Sequence, residues 1–431
     1  MERIFIVATI ARSSLRVLIV GGGVSGACAA NKFSEHGVES WLIERKPFIG
    51  GHAAQFGCKA ADVCLKCNVC VAHDIFRAVL ANNKTHVLPD TQLMALEDHA
   101  DSKTAYTAQL TRSPQFINHS LCTACGACLK VCPARCIYQP YPGIYGGKPL
   151  IEMGKCLRAK GRKCDKCAKV CPFDAIDFND KPRQVNLPVD AVVVAAGFQP
   201  FDPGVQSCYG YKAVPNVITG LEAERQLAAA RRIVRPSDGQ VPKRMAFIQC
   251  VGSRSELAHR RPEDTNYCST VCCAYAMRTA RKIKHSNPDS AITIFYMDLQ
   301  NFGKNFTGFY RKDMGDVRFV RARPSDVLAG KDGNAVVRYE DRDKGAVVEE
   351  EYDLVVLSIG MRPADDFSSL AGRLRISLDE YGFFGIKTAG GLADPQKKNI
   401  FVIGACEAPK DITACIGQAE AVCQKLLATI K

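Results

Sequence analysis

The sequence predicts an α/β protein with buried parallel sheets and a small cysteine-rich insert. Apolar, β-branched runs at residues 190–200, 244–253 and 352–363 alternate with stretches of helical periodicity, which is typical of parallel strands covered by helices. Residues 111–182 differ, because they consist of short Cys-Pro segments with little periodicity. We interpret this stretch as a domain organised around metal.

A glycine-rich turn follows the first predicted strand, at residues 15–20. It carries three glycines in the spacing G-x-G-x-x-G, namely Gly21, Gly23 and Gly26. In a strand–turn–helix–strand unit, such glycines permit a tight turn, let the backbone approach a pyrophosphate and let the helix pack on the strand. Glu44 closes the next strand and is expected to accept a hydrogen bond from a ribose hydroxyl. We therefore expect a bound dinucleotide.

A second glycine pair, Gly50 and Gly51, suits a backbone that lies against a flavin rather than a nicotinamide; an ordinary loop is the alternative. We accordingly predict that the dinucleotide is FAD. The candidate cofactor-binding residues in this part of the site are Gly21, Gly23, Val24, Ser25, Gly26, Glu44, Arg45, Gly50, Gly51, His52, Ala196 and Gly197.

The second Rossmann-type unit lacks a glycine fingerprint of its own. Its first strand ends in FIQCVGSRSE, where Gly252 is the single glycine and Cys250 stands at the turn. A nucleotide site of the usual kind needs closely spaced glycines. We expect that NAD(P) does not bind to this unit.

Eight cysteines of the insert form a doubled ferredoxin motif. The segment CTACGACLKVCP has the spacing of bacterial two-cluster ferredoxins, and CLRAKGRKCDKCAKVCP repeats it with a longer first gap. In this motif the fourth cysteine of each half binds the cluster of the other half. The first [4Fe–4S] cluster is assigned to Cys122, Cys125, Cys128 and Cys171, and the second to Cys156, Cys164, Cys167 and Cys132. Zinc is the alternative for any four cysteines. Cys136 is left over and is expected in the core.

Three further cysteines lie close together in YCSTVCC. On a helical turn Cys268 and Cys272 would share a face, and Cys273 would project about 100° away. Their sulfurs are hard to join as disulfides but can reach three irons of one cubane. Cys250 is the candidate fourth ligand. This set would hold a cluster where a pyridine nucleotide usually binds.

Several motifs together resemble one known family. The segments IQCVGSR, YCSTVCCAYAMRTA, DLVVLSIGMRP and APKDITACIGQAEA, with GGGVSG and the ferredoxin insert, resemble the A subunits of heterodisulfide reductases over residues 15–430. Their relatives include the A subunit of the quinone-interacting membrane-associated oxidoreductase complex. The resemblance implies a thioredoxin-reductase-like, two-dinucleotide-binding (Rossmann-type) flavoprotein fold with an inserted α+β two-cluster ferredoxin domain. It also implies a cluster on Cys250, Cys268, Cys272 and Cys273, and FAD contacts at Gly404, Ala405, Asp411 and Ile412.

The predicted domain order follows from these motifs. It runs as the first part of an FAD-binding domain (1–110), the ferredoxin-like insert (111–182), the continued FAD-binding domain (183–243), a second Rossmann-like domain (244–365) and the C-terminal part of the FAD-binding domain (366–431).

A last cysteine group follows the flavin glycines. Its members are Cys58, Cys64, Cys67 and Cys70, whose spacing can hold a fourth [4Fe–4S] cluster next to FAD. A zinc site, or a redox pair with two core cysteines, is the alternative. The isolated cysteines are expected to be small buried hydrophobic residues, and they are Cys28, Cys208, Cys406, Cys415 and Cys423.

Composition limits the partners. The chain has 431 residues, 22 cysteines and a formal charge of +13, yet it carries no nucleic-acid-binding signature. A cubane with four thiolates carries roughly −2, so bound clusters would offset much of this charge. The apolar start is interrupted by Arg12 and Arg16, which favours a first strand over an export signal. No apolar run of spanning length follows. We expect a cytoplasmic protein with reduced thiols, associated with a membrane only through partner subunits.

These expectations define one leading function and two alternatives. The leading one is an oxidoreductase subunit of a heterodisulfide-reductase-like or quinone-interacting complex, which converts two-electron flavin chemistry to one-electron transfer. By resemblance, electron bifurcation or confurcation is a candidate activity, and ferredoxin or another electron carrier is a candidate partner. No catalytic acid, base or nucleophile is nominated. The alternatives are an NAD(P)H-dependent reductase of the glutamate synthase small-subunit type and a zinc-binding interaction scaffold.

Overall fold

The computed structural model describes residues 15–99, 104–140, 148–256, 264–300, 314–385 and 397–429. Within these residues, the first domain is built on a five-stranded sheet whose strands are all parallel. In spatial order the strands are β20 (Ile400–Val402), β9 (Ala191–Val194), β1 (Arg16–Val20), β2 (Glu39–Ile43) and β3 (Thr85–Leu88). Every residue of β9 is buried, as expected for a strand that is covered on both faces.

Helices cover one face of this sheet, and a second sheet covers the other. The helices are α1 (Val24–Glu35), α2 (Val69–Ala81) and α8 (Ile412–Thr429), which bury Phe33, Phe76 and Leu426 in one core. The opposite core lies under three antiparallel strands and one helix, β4 (Thr91–Asp98), β5 (Tyr106–Arg112), β8 (Arg183–Val189) and α7 (Phe367–Leu374).

The second domain repeats the parallel arrangement. Its sheet contains, in spatial order, β11 (Val217–Thr219), β18 (Leu354–Ile359), β12 (Arg244–Val251), β13 (Ala291–Phe295) and β14 (Arg318–Val320). Helices α5 (Gly220–Ala230) and α6 (Cys272–Ser286) pack near one face. The other face carries the antiparallel strands β15 (Asp326–Ala329), β16 (Ala335–Asp341) and β17 (Ala346–Tyr352).

The second sheet starts upstream of residue 244, where the sequence placed its domain boundary. Strand β11 lies in the segment 183–243 that was assigned to the FAD-binding domain, but it pairs in parallel with β18 of the second sheet. A strand of three residues gives no period that a sequence could reveal. A two-stranded ladder of β10 (Gln199–Pro200) and β19 (Met361–Arg362) joins the two chain crossings between the domains.

The insert leaves the first domain at the end of β5 and returns at the start of β8. It contains two short helices and a two-stranded ladder, α3 (Ala127–Val131), α4 (Lys166–Lys169), β6 (Ile137–Tyr138) and β7 (Leu150–Ile151). Its small core is built largely of cysteine, isoleucine and phenylalanine. Residues 1–14, on which the expected absence of an export signal partly depends, lie outside the described residues. Among the described helices, none combines the length and the apolar character needed to cross a membrane.

Candidate functional site

The glycine turn has the geometry that a dinucleotide requires. Gly21 has a φ of +110°, and a Cβ atom there would lie 2.3 Å from the carbonyl oxygen of Ala195. A Cβ atom on Gly26 would lie 1.9 Å from the carbonyl oxygen of Gly21, so helix α1 and the turn can pack only without a side chain. The N-terminus of α1 therefore reaches the turn closely enough for its backbone N–H groups to meet a phosphate.

Glu44 stands at the end of β2, directly beside this turn. Its carboxylate accepts hydrogen bonds from the backbone N–H groups of Gly22 and Lys46, both at 2.9 Å. A carboxylate offers about four acceptor positions. The side chain is thus held in place and keeps acceptor capacity for a ribose hydroxyl.

A cleft of about 350 Å³ opens at the glycine turn. The structure brings fourteen of the predicted cofactor-binding residues to its walls: Gly21, Gly23, Val24, Ser25, Glu44, Arg45, Gly50, Gly51, His52, Ala196, Gly197, Ala405, Asp411 and Ile412. Gly26 and Gly404 lie behind the walls, where they allow close packing. A Cβ atom on Gly404 would lie 2.1 Å from the hydroxyl oxygen of Ser25.

His52 presents an orphaned polar atom at this cleft. Its Nε2 lies 3.1 Å from the carbonyl oxygen of Phe198, whereas its buried Nδ1 has no hydrogen-bond partner. Burial lowers the pKa of His52 to about 4. The ring is therefore neutral at pH 7, and its free nitrogen fits a hydrogen bond to a bound cofactor.

The N-terminal end of helix α8 lines part of the cleft. Asp411 precedes this helix, and its carboxylate accepts a hydrogen bond from the backbone N–H of Ala414 at 2.8 Å. The remaining N–H groups of the first turn have no intrahelical partner, as at any helix N-terminus. They give this part of the cleft a partial positive charge.

Sequence reasoning missed a buried ion pair in the cleft wall. The ammonium group of Lys59 lies 2.5 Å from the carboxylate of Glu224, and their side chains are 3% and 8% exposed. The backbone N–H of Gly57 also donates to Glu224, at 3.2 Å. The pair joins the segment after the flavin glycines to helix α5. The two residues are 165 positions apart, so no local pattern could reveal it.

The four cysteines of the second domain converge at the carboxyl edge of its parallel sheet. Cys250 lies near the end of β12 with a φ of +60°, and Cys272 and Cys273 begin α6. Burial and the neighbouring thiols of Cys250, Cys273 and Cys268 raise the pKa of Cys272 far above its usual range. Burial raises the pKa of Cys273 to about 11. Such thiols stay protonated unless a positive charge is supplied, and a metal centre supplies it.

One detail of the predicted geometry is wrong. The helix begins at Cys272, so Cys268 lies in the preceding loop rather than one helical turn back on the same face. Thr270, between them, has a φ of +59°. This kink turns Cys268 toward the other thiols.

An aromatic side chain packs against the second turn. A Cβ atom on Gly252 would lie 2.2 Å from the ring of Phe201. The turn therefore has no space for a side chain at this position, and the absence of NAD(P) from this unit stays a prediction.

A fixed cation stands beside this cysteine set. The guanidinium group of Arg254 makes two hydrogen bonds to the carboxylate of Asp298, at 2.5 and 2.9 Å. The same guanidinium contacts the thiol of Cys250 and opposes the rise of its pKa that burial causes. Asp298 accepts a further hydrogen bond from Gln300 at 3.2 Å.

In the insert, the eight cysteines surround two separate cavities. One cavity of about 20 Å³ is lined by Cys122, Cys125, Cys128 and Cys171. A second cavity of the same size is lined by Cys132, Cys156, Cys164 and Cys167. These are the two ligand sets expected from the ferredoxin motif, including the exchange of the fourth cysteine. The spare Cys136 is buried, with its sulfur 3.4 Å from that of Cys132.

The fourth cysteine group is less enclosed. Cys58, Cys64 and Cys70 are exposed, and Cys67 lines the cleft. The segment is anchored to α6, because Arg278 donates to the carbonyl oxygen of Leu65 at 2.9 Å and Arg281 pairs with Asp62 at 3.0 Å.

A local turn recurs in three of the cysteine groups. The backbone N–H two residues after Cys122, Cys268 and Cys64 donates to that cysteine's sulfur at 3.5, 3.3 and 3.4 Å. In each case the donating residue has a positive φ, of 61°, 59° and 50°. Such N–H···S contacts favour a thiolate and tune a bound cluster. The exposed Cys64 therefore shares the local geometry of a ferredoxin-motif ligand.

Most of the isolated cysteines lie in the cores of the domains. Cys28, Cys406, Cys415 and Cys423 are buried, which confirms the expectation of core residues; Cys208 is half-buried. Within the described ranges, no three His, Cys, Asp or Glu side chains are grouped closely enough to hold a single metal ion.

Comparisons with known proteins agree with this architecture. A family model described as an NAD(P)-binding Rossmann-like domain matches residues 19–69, and one described as a 4Fe-4S dicluster domain matches residues 121–175. Thioredoxin reductase from T. acidophilum superposes with a TM-score of 0.51 and 12% identity, covering 96% of this chain and 98% of that one. An HOCl-induced flavoprotein disulfide reductase from Escherichia coli has a TM-score of 0.50 and 12% identity, covering 96% and 71%. The fold is thus a Rossmann-type architecture of the thioredoxin-reductase kind, with an inserted domain that matches the 4Fe-4S dicluster model.

The sequence relatives are more specific. The chain is 36% identical to an iron–sulfur A subunit of CoB–CoM heterodisulfide reductase from Methanopyrus kandleri, over 94% of its own length and 63% of that protein. It is 31% identical to the A subunit of the H2:CoB-CoM heterodisulfide,ferredoxin reductase of Methanothermobacter marburgensis, over 94% and 62%. The chain is thus similar to heterodisulfide reductase A subunits over most of its own length, and it spans about three fifths of the length of these relatives.

Proposed function

We propose that this chain binds FAD and [4Fe–4S] clusters and transfers electrons as one subunit of a heterodisulfide-reductase-like complex. One observation carries the proposal. The cleft at the glycine turn is bordered on one side by Cys67 and on another by Thr270 and Val271, which lie between Cys268 and Cys272. A flavin in this cleft would therefore have cysteine segments of two domains as neighbours.

Each group of residues has a distinct task in this proposal. The glycine turn and the N-terminus of α1 would hold the pyrophosphate, and Glu44 would hold the ribose. The neutral ring of His52 and the N-terminus of α8 would orient the isoalloxazine ring. The buried pair of Lys59 and Glu224 would keep the cleft wall in place.

The cysteines would hold clusters in four sets. These are Cys122, Cys125, Cys128 and Cys171; Cys132, Cys156, Cys164 and Cys167; Cys250, Cys268, Cys272 and Cys273; and Cys58, Cys64, Cys67 and Cys70. When bound, a flavin exchanges two electrons and a cubane exchanges one at a time. The recurring N–H···S turn at Cys64 supports the fourth set.

Partners and energetics belong to the same proposal. The named relatives are subunits of heterodisulfide reductases, which supports partner subunits for this chain too. We further propose that the protein is cytoplasmic and contacts a membrane only through partner subunits. The proposal also includes splitting of the electron pair between two acceptors. The sequence relatives and the flavoprotein fold favour these partners over nucleic acid.

Anaerobic purification tests the cofactors directly. We expect one FAD per chain and a broad iron–sulfur absorption near 400 nm. Replacing both Cys250 and Cys272 with serine should remove about four irons per chain while the flavin stays bound. The matched control is Cys208→Ser, because Cys208 lies outside every proposed set. This variant should keep the full iron content of the wild type. Equal iron in both variants would refute the third cluster.

The two alternatives give different results. A colourless protein with stoichiometric zinc would support the scaffold hypothesis. Bleaching of the flavin on anaerobic addition of NADH would support a reductase of the glutamate synthase small-subunit type. We expect neither, because the glycine of the second turn is covered by Phe201 and the eight insert cysteines already line two separate cavities.

A further inference from the structure

The longer gap in the second ferredoxin motif is a compact basic loop. Seven residues, LRAKGRK, separate Cys156 from Cys164, where the first motif has only two residues between Cys122 and Cys125. The loop is closed by hydrogen bonds from the backbone N–H of Lys160 to the carbonyl oxygen of Cys156, at 3.1 Å, and from that of Arg162 to Leu157, at 2.9 Å. Binding the cluster requires no such insertion, because the first motif does without it.

The loop carries four cations and no acid. Arg158, Lys160, Arg162 and Lys163 are all exposed. Among the described residues none of the four forms an ion pair, whereas the neighbouring Lys155 and Lys169 pair with Glu152 and Asp165 at 2.9 Å. The insert as a whole, residues 113–182, holds eleven Lys or Arg and five Asp or Glu. Like charges gathered at one turn repel each other, so the loop is an attractive surface for an acidic partner.

The same loop covers the second cysteine set. Leu157 and Arg158 line the cavity formed by Cys132, Cys156, Cys164 and Cys167. The guanidinium group of Arg158 lies 5.5 Å from the centre of the Phe178 ring, which holds this side chain against the cavity. The tip, with Lys160, Gly161 and Arg162, points away: apart from its chain neighbours, no heavy atom lies within 4 Å of a Cβ placed on Gly161.

We propose that the Cys156–Cys164 loop is the docking surface for a small acidic electron-carrier protein of the ferredoxin type. The proposal rests on the proposed function, because the carrier would exchange one electron with a cluster held by the second cysteine set. In that exchange no bond forms or breaks; the carrier is oxidised by one electron and the cluster is reduced by one. The exposed cations raise the rate of encounter and orient the carrier over the cavity.

The test compares two matched charge reversals in the anaerobic holoprotein. Lys160→Glu with Arg162→Glu changes the tip of the loop and leaves the cavity-lining Arg158 in place. Lys331→Glu with Arg342→Glu changes the same number of exposed cations on the second domain and is the control. The probe is a reduced two-cluster bacterial ferredoxin of acidic composition. Its association rate is measured by stopped flow, and its Kd by titration, at low and high salt.

We expect the loop variant to associate about 10–100-fold more slowly than the wild type at about 10 mM salt, where the Debye length is about 30 Å. At about 1 M salt, where it is about 3 Å, the rates should converge. The control should match the wild type at both concentrations. The absorption and EPR spectra of the clusters should be the same in all three proteins.

Other outcomes overturn the inference without touching the proposed function. If the loop cations only offset the charge of the cluster, the variant shifts the cluster's reduction potential but keeps the wild-type association rate. The inference is also refuted if the ferredoxin does not bind measurably to wild-type holoprotein. It is refuted as well if the loop variant loses binding to a single-stranded oligonucleotide but keeps its binding to the ferredoxin. A wild-type protein without iron and flavin would instead refute the proposed function.

Discussion

Replacing Lys59 with methionine should destabilise the protein more than replacement of almost any exposed lysine. Methionine fills a similar volume but leaves the carboxylate of Glu224 buried without its cation. The backbone N–H of Gly57, at 3.2 Å, remains its single described donor. An uncompensated charge in a cleft wall must either be solvated by local opening or take up a proton.

The expected loss follows from the burial of both partners. Removing one member of a buried ion pair destabilises by about 3–5 kcal/mol. At about 2–4 °C per kcal/mol for a cooperative unit of about 150–250 residues, the thermal midpoint should fall by roughly 10 °C. The double variant with Glu224→Met should lose less than either single variant, because two apolar side chains leave no buried charge.

Scanning calorimetry of the anaerobic protein at matched flavin content provides the measurement, because bound cofactor itself raises the midpoint. Lys344→Met is the control, since Lys344 pairs with Asp341 at 3.4 Å on the surface and is 63% exposed. Its change should stay within about 1 kcal/mol. The reasoning fails if Lys59→Met and the control shift the midpoint equally, or if the double variant is the least stable.

Three further predictions concern the turn, the third cysteine set and pH. Gly21→Ala should abolish flavin retention on a desalting column, because the new Cβ would lie 2.3 Å from the carbonyl oxygen of Ala195. Gly372→Ala is the control and should retain the flavin, because the space around Gly372 is open. Arg254→Gln should lower the reduction potential of a cluster held by Cys250, Cys268, Cys272 and Cys273 by about 30–60 mV in an EPR-monitored titration, since about 59 mV corresponds to about 1.4 kcal/mol for one electron. Arg338→Gln should leave this potential unchanged. The pKa of His52 is lowered to about 4, so its neutral form contributes stability above the unfolded-state pKa of 6.5 that is lost as pH falls toward 4. His52→Gln should remove about 2 kcal/mol of the stability difference between about pH 8 and pH 5; an unchanged pH profile in urea titrations would contradict this.

Much of the architecture could be predicted because it depends on local patterns. The glycine turn, the apolar strands and the doubled cysteine motif each need only a few adjacent residues. The structure forms two cysteine-lined cavities in which the fourth cysteine of each motif lies with the other three-cysteine group. Strand β11 escaped prediction because three residues carry no period. The loop geometry at Cys268 escaped because a single positive φ at Thr270 delays the start of the helix.

The walls of the cleft were harder to predict, since they depend on contacts between distant segments. Lys59 and Glu224 come from different domains, and Tyr275 and Arg278 reach the cleft from helix α6. Arg254 could have been found from its place four residues after Cys250, but its partner Asp298 lies beyond the end of another strand. Sequence spacing identifies candidate ligands, whereas the groups that position and charge them emerge only from the tertiary fold.

The ends of the ferredoxin-like insert are neighbours in the host sheet. Arg112, the last residue of β5, is paired directly with Arg183, the first residue of β8. A two-residue hairpin would bridge the same gap. The chain segment between these two arginines thus leaves and re-enters the host sheet at adjacent positions, and the host sheet needs no rearrangement to accommodate it. In descent, such a module can be acquired, exchanged or discarded while the nucleotide-binding framework stays as it was.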